Sequence, residues 1–150
     1  MADIKSPEER SRNMARIRSK DTKPEEYIRK KLYAMGYRYR KNSSAVFGHP
    51  DIWMPKYNVA IFVNGCFWHR HENCKYAYEP KSRIDFWTNK FKRNIVRDEE
   101  VRKKLQLEGK RILIIWECGI NNMIKSDQTD KEILSKMDAF IRSDLLFYEV

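Results

Sequence analysis

The sequence predicts an α/β fold in which a mixed sheet lies between helices, and three observations carry that reading. Two apolar runs, Val59 to Val63 and Ile112 to Trp116, are short enough for buried strands. A long segment of helical period separates them. Pro55-Lys56-Tyr57-Asn58 is turn-forming and divides Asp51-Ile-Trp-Met from the first of these runs.

The elements follow in chain order. Ser6 before Pro7, with Glu9 three residues on, suits the capped start of a short basic helix reaching about Arg18. Asp21 or Thr22 can cap a second helix. It has Pro24 in its first turn, Ile28, Leu32 and Met35 on one face, and Gly36 as its stop. The hairpin formed by residues 51–54 and 59–63 comes next, and its second strand is apolar enough to be central. From about Arg83 to Leu107, Ile84, Trp87, Phe91 and Ile95 recur at helical spacing, and Gly109 ends the helix. A strand, a long helix and another buried strand form a crossover unit, so 111–116 should lie parallel to 59–63. A C-terminal helix over 129–143, with Ile133, Leu134, Met137 and Phe140 apolar, completes the set.

Composition bounds the function. In 150 residues, 31 Lys and Arg stand against 21 Asp and Glu, a net charge of +10. A polyanion is therefore the leading partner class. Composition alone leaves DNA, RNA and anionic lipid open. At this length the chain can bury one real core, so a single domain over 1–150 is expected, without disulfide staples. No apolar run approaches the roughly 20 residues of a membrane span. The arginine-rich start has no secretory character, so a cytoplasmic, membrane-free protein is expected. Residues 1–18 read as a basic arm. Arg10, Arg12, Arg16 and Arg18 surround only Met14 and Ile17, too little apolar surface for firm docking, so the arm should order on DNA phosphates. Arg102 to Lys104 read as a solvated face.

The strongest local signal is Cys66-x4-His71-x2-Cys74, joined 44 residues later by Cys118. Three thiolates and one imidazole form a closed tetrahedral zinc site with no open position for a catalytic water. Such a site would pin the loop after one strand to the end of its parallel neighbour. The alternative is three unrelated thiols and a surface histidine.

Pro50-Asp51 at the head of the hairpin supplies a second signal. Cleaving a phosphodiester needs a hard cation, usually Mg²⁺, held by carboxylates and backbone oxygens, and Asp51 is the natural first ligand. Between the two signals runs Gly65-Cys66-Phe67-Trp68-His69. If His71 binds zinc, His69 stays free, and a free imidazole can take a proton from water attacking phosphorus. Phe67 and Trp68 either wedge between base pairs or pack beneath the zinc loop.

Asp21-Thr22-x2-Glu25, Pro50-Asp51, Val59 to His69, Phe86-Trp87, Asn94-x3-Asp98 and Trp116-Glu117-Cys118 together resemble the very short patch repair (Vsr) DNA mismatch endonucleases, from about Ser11 to Cys118. The resemblance implies a PD-(D/E)XK restriction-endonuclease-like core with a structural zinc. It also implies Mg²⁺-dependent nicking of one strand 5′ to the T of a T·G mismatch. By the same resemblance, Asp51 and the backbone carbonyl of Val63 hold the metal, and Glu25 reaches its waters. His69 matches a proposed general base, Asp98 a supporting carboxylate, and Phe67, Trp68 and Trp87 aromatics that enter the duplex beside the mismatch. Partners would be double-stranded DNA and mismatch-repair proteins, with a monomer as the working state.

Departures from the pattern matter too. Asn64 stands where mismatch-cutting members carry a catalytic histidine; it can donate a hydrogen bond to phosphate but cannot act as an acid or base. The zinc loop has Arg70, Glu72 and Asn73 where those members are richer in His, and the Cys66 to Cys74 spacing is one residue longer. The acidic residue and lysine of the ordinary motif are missing at Val63 and Gly65. Two other functions remain in view: a non-catalytic zinc-stabilised DNA-binding module, and a restriction-associated nuclease of the same fold cutting matched duplex.

Overall fold

The computed structural model describes residues 21–150, so the expected basic helix over 6–18 and its four arginines lie outside the described residues. Helix α1 (Lys23–Ala34) starts where Thr22 accepts a hydrogen bond from the Glu25 N–H, which decides the cap in favour of Thr22 over Asp21. Gly36 ends it at φ +98°, a left-handed conformation that costs glycine little. Strand β1 (Arg40–Lys41) precedes the expected hairpin of β2 (Ile52–Met54) and β3 (Val59–Asn64). Then come α2 (Ile84–Leu107), β4 (Arg111–Trp116), α3 (Glu117–Lys125), α4 (Asp127–Arg142) and β5 (Phe147–Glu149).

The five strands form one mixed sheet in the order β1-β2-β3-β4-β5. β2 and β3 pair antiparallel, Ile52 opposite Ile61. β3 and β4 pair parallel over six residues, from Val59 opposite Arg111 to Asn64 opposite Trp116, as the crossover reading requires. This register brings the ends of β3 and β4 side by side. The loop after β3 and the first turn of α3 consequently meet at the C-terminal ends of these two central strands.

Strand alternation sends residues to two cores. Ile52, Met54, Val59, Ile61, Leu113 and Ile115 face α1, α3 and α4, where Ile28, Leu32, Ile120, Met123, Met137 and Phe140 close over them. Ala60 and Ile112 face the other way and meet Leu105 of α2 and Val46. At roughly 1.5 to 3 kcal/mol per fully buried aliphatic side chain, the first face carries most of the hydrophobic driving force.

Four expectations are corrected. β1 is two exposed basic residues and β5 only three residues, so neither has the apolar alternation that marks a strand. The sequence expectation of three strands, with 111–116 the last of them, is thus short by these two. Helix α3 leaves β4 with no intervening turn and no side-chain cap, and Gly119 in its first turn hides its periodicity, although Ile120 and Met123 are buried. The C-terminal helix begins at Asp127 and ends at Arg142 rather than spanning 129–143, because Ser126 caps it by accepting from the Thr129 N–H. Along α2 the apolar stripe does not dock as its period suggests. Phe91 and Leu105 are buried, whereas Ile84 is 62% and Ile95 41% exposed.

Candidate active site

Asp51 lies in the bend before β2, where the chain enters the hairpin from Pro50. Its Oδ2 accepts the Val63 N–H at 2.7 Å, which ties the carboxylate to the end of central strand β3. Within a strand, a residue's N–H and C=O project to the same side. The Val63 carbonyl thus points to the side on which the Asp51 carboxylate sits. Burial, with the nearby charge of Glu25, pushes Asp51 up from the ordinary 3.8 to about 7, against the pull of the Val63 N–H, Arg29 and His69.

Glu25 arrives from the first turn of α1 and is buried. Its Oε2 accepts from the Asp21 N–H at 2.7 Å and from Arg29 Nη2 at 3.3 Å. Among the described residues, Glu25 Oε1 and Asp51 Oδ1 take no hydrogen bond. Two neighbouring carboxylates, each with an oxygen that takes no hydrogen bond among the described residues, and with the Glu25 charge raising the cost of ionising Asp51, are a donor set that suits a hard divalent cation. Arg29, four residues after Glu25 and also buried, was not recognised in the sequence; the acid–base spacing of i and i+4 was the available signal.

Beyond Asn64, the last residue of β3, the chain turns through Gly65 so closely that an added Cβ would lie 3.4 Å from Glu117 Oε2 and from Trp68 Cδ1. The two histidines of this loop diverge. His69 Nδ1 is 2.7 Å from Asp98 Oδ2 on α2, and the side chains remain 32% and 40% exposed, so the imidazole is both held and reachable. A cavity of about 410 Å³ beside this pair is lined by Asn64, Trp68, Lys90, Asn94 and Arg97, among others. Asn94 Nδ2 donates to the Trp68 carbonyl at 3.0 Å and fixes the residue preceding His69.

His71 instead joins the three cysteines. Its ligand atom and the sulfurs of Cys66, Cys74 and Cys118 all lie within 4.8 Å of one another, with Cys118 Sγ 3.5 Å from His71 Nδ1. A tetrahedral zinc with ordinary bond lengths has a nitrogen–sulfur edge of roughly 3.6 Å. The donor set and its spacing therefore fit zinc. All three cysteines are free thiols, and burial pushes Cys66 up to about 12, so a metal would have to displace its proton. The His71 ring stacks on Trp116 at 4.1 Å and 7°, and Trp116 Nε1 donates to Glu149 Oε1 at 2.7 Å, so the C-terminal strand braces the cluster.

The departures in this loop have structural jobs. Arg70, at φ +52°, donates to the carbonyls of Phe67, Ala77 and Tyr78 and lays its guanidinium 4.0 Å over the Phe91 ring, buckling the loop closed. Asn73 adopts φ +55°, a conformation Asn tolerates, in the stretch that holds the extra residue. Glu72 is exposed.

Phe67, Trp68 and Trp87 form one aromatic group, with centroids 5.3 to 5.7 Å apart, and Phe67 also meets Phe91 and Tyr78. Phe67 and Trp87 both pack against the buried Phe91, at 5.2 and 5.7 Å, and all three rings of the group stay half-exposed. The group packs beside the Cys/His loop and still presents ring surface. Arg102 to Lys104 are exposed, as expected of a solvated face, and the Arg102 guanidinium lies 3.8 Å over the Phe147 ring.

The family model for the DNA mismatch endonuclease Vsr matches residues 2–75. The type II nicking enzyme V.NmeAIP of Neisseria meningitidis serogroup A is 42% identical over 122 residues, 81% of this chain and 86% of that protein. The type II nicking enzyme V.XorIIP of Xanthomonas oryzae pv. oryzae is 40% identical over 123 residues, 82% of this chain and 90% of its own length. The DNA mismatch endonuclease Vsr of Escherichia coli K12 is 34% identical over 141 residues, 94% of this chain and 88% of that enzyme.

Proposed function

Given that the chain belongs to the Vsr family of DNA endonucleases, we propose that it nicks one strand of duplex DNA on the 5′ side of the T in a T·G mismatch, in very short patch repair. The observation that carries this reading is the convergence of Asp51, Glu25 and the held His69 around the end of β3. The core around them is read as PD-(D/E)XK-like, with histidine in place of the missing lysine.

Asp51 and the Val63 carbonyl would hold Mg²⁺ directly, and Glu25 would reach it through water. When bound, the cation lowers the charge barrier to attack on the scissile phosphate. The remaining work belongs to side chains. With its Nδ1–H donated to Asp98, His69 keeps a lone pair on Nε2 to take the proton of the attacking water. Asp98 fixes that tautomer and ring orientation. Asn64, beside His69 at the cavity, donates a hydrogen bond to a phosphate oxygen. Phe67, Trp68 and Trp87 enter the duplex beside the mismatch, and the basic arm over 1–18 follows the phosphates. Zinc at Cys66, His71, Cys74 and Cys118 is structural: it fixes the loop that carries His69 and the aromatics. The cytoplasm is the compartment in which these thiols stay reduced.

A second reading has its own support. The nicking-enzyme relatives at 40 to 43% identity exceed the 34% of the mismatch enzyme, which favours a nuclease that works beside a restriction system. Nicking of end-labelled duplexes, T·G mismatched and fully paired, with and without Mg²⁺, for the wild type and Asp51→Ala, tests both. Mismatch-only, Mg²⁺-dependent nicking lost in Asp51→Ala is the expected result. Equal cutting of paired duplex would favour the second reading and overturn mismatch specificity.

A further inference from the structure

Arg29 is buried on α1, and a guanidinium removed from water is tolerated only where its donors are met. Here they are met on four residues. Nη1 donates to Asp21 Oδ1 at 2.7 Å; Nη2 donates to Glu25 Oε2 at 3.3 Å, Asn42 Oδ1 at 3.2 Å and the Asp51 carbonyl at 2.9 Å. Nε adds a longer bond of 3.3 Å to the same carbonyl. Asp51 lies outside the sheet ladder, and among the described residues its carbonyl is otherwise held only by the Asn42 N–H at 3.3 Å. One planar fork therefore joins the helix that carries Glu25 to the main chain that carries Asp51. The Asp51 carboxylate is fixed at its other end by the Val63 N–H.

We propose that Arg29 is a positioning residue for the divalent-cation site, setting the separation of the Glu25 and Asp51 carboxylates and holding two like charges together before the cation arrives. This rests on the reading that those two carboxylates face a cation. A lysine would not replace it. The ammonium is a point charge on a flexible stem and cannot present a fixed fork to Glu25 and the Asp51 carbonyl at once. Because Arg29 is buried, its loss should change cation affinity and leave duplex affinity alone.

The test uses the full chain, zinc-loaded, as wild type, Arg29→Lys, Arg29→Met, Asn42→Ala and Asp51→Ala. Mn²⁺ binding is followed by electron paramagnetic resonance, beside Mg²⁺ titrations of nicking, duplex binding without Mg²⁺, and thermal melting. In Arg29→Lys the Mn²⁺ dissociation constant and half-saturating Mg²⁺ should rise about tenfold or more, the scale of an outer-sphere loss. Saturating Mg²⁺ should restore most of kcat, and duplex affinity should stay within about twofold. Asn42→Ala, which frees one side of the fork and removes no charge, should weaken Mn²⁺ by about threefold and supplies the reading if the Arg29 variants do not fold. Unchanged Mn²⁺ affinity in a folded Arg29 variant, or in Asn42→Ala where neither Arg29 variant folds, with affinity lost in Asp51→Ala, overturns this inference alone. Equal Mn²⁺ affinity in wild type and Asp51→Ala overturns the cation reading and the inference with it.

Discussion

His69 Nδ1, in the loop that follows the central strand, lies 2.7 Å from Asp98 Oδ2 in the middle of α2. A loop imidazole is thereby given a fixed orientation by a helix that otherwise buries little of itself. Asp98→Asn should lower the nicking rate by roughly 10- to 100-fold through a misdirected ring, and His69→Ala by roughly 100- to 10,000-fold. Single-turnover nicking under saturating Mg²⁺ measures both; an Asp98→Asn rate within twofold of wild type would remove the aspartate from the mechanism.

Asp51 should oppose stability where it serves activity. Its folded value of about 7 lies above the ordinary 3.8, so the native state holds the proton more tightly than the unfolded chain. Stability from this group is full below pH 4 and is lost as pH rises towards 7, by at most roughly 4 kcal/mol at about 1.4 kcal/mol per pKa unit. Asp51→Asn should abolish nicking yet melt higher than wild type at pH 8 without Mg²⁺, with the gap closing at pH 5. Added Mg²⁺ should stabilise the wild type more at pH 8 than at pH 5. Melting curves at the two pH values check the sign.

One zinc per chain is expected by metal analysis. Cys118→Ser should lose it and lower Tm by roughly 10 °C, since a few kcal/mol shifts a domain of this size by about 2 to 4 °C each. Full metal content and unchanged Tm in that variant would exclude a zinc role for the cluster.

Trp68 and Trp87 are half-exposed. Replacing either by Ala should weaken mismatched-duplex binding by about tenfold, and Trp68→Ala should keep Tm within a few degrees of wild type. Phe67→Ala and Trp87→Ala should lower Tm as well, because both rings pack on buried Phe91, at 5.2 and 5.7 Å. Fluorescence titration and melting separate the two effects.

Deleting residues 1–18 removes Arg10, Arg12, Arg16 and Arg18. If these meet phosphates, the slope of log K against log salt should become shallower by about 3 to 4, at roughly 0.9 for each phosphate contact. An unchanged slope would remove the arm from the interface.

The sequence by itself determined the sheet's centre and the chemistry at the ends of its central strands. β3 and β4 are apolar enough to be buried on both faces, so their parallel pairing across a long helix follows from local pattern and the crossover rule. Cys66, His71, Cys74 and Cys118 likewise carry their own chemistry, and parallel strand ends bring them together wherever the strands pair. Tertiary structure decided what local pattern does not encode. β1 and β5 are too short to have a period and exist only because a neighbouring strand offers hydrogen bonds. Whether Ile95 or Phe91 is buried depends on which part of α2 meets the loop, not on their shared spacing. Arg29 looks like a solvent-facing helix residue until the fold encloses it with Asp21, Glu25, Asn42 and the Asp51 carbonyl. A buried charge is satisfied by partners distant in sequence, and only the folded chain brings them within reach.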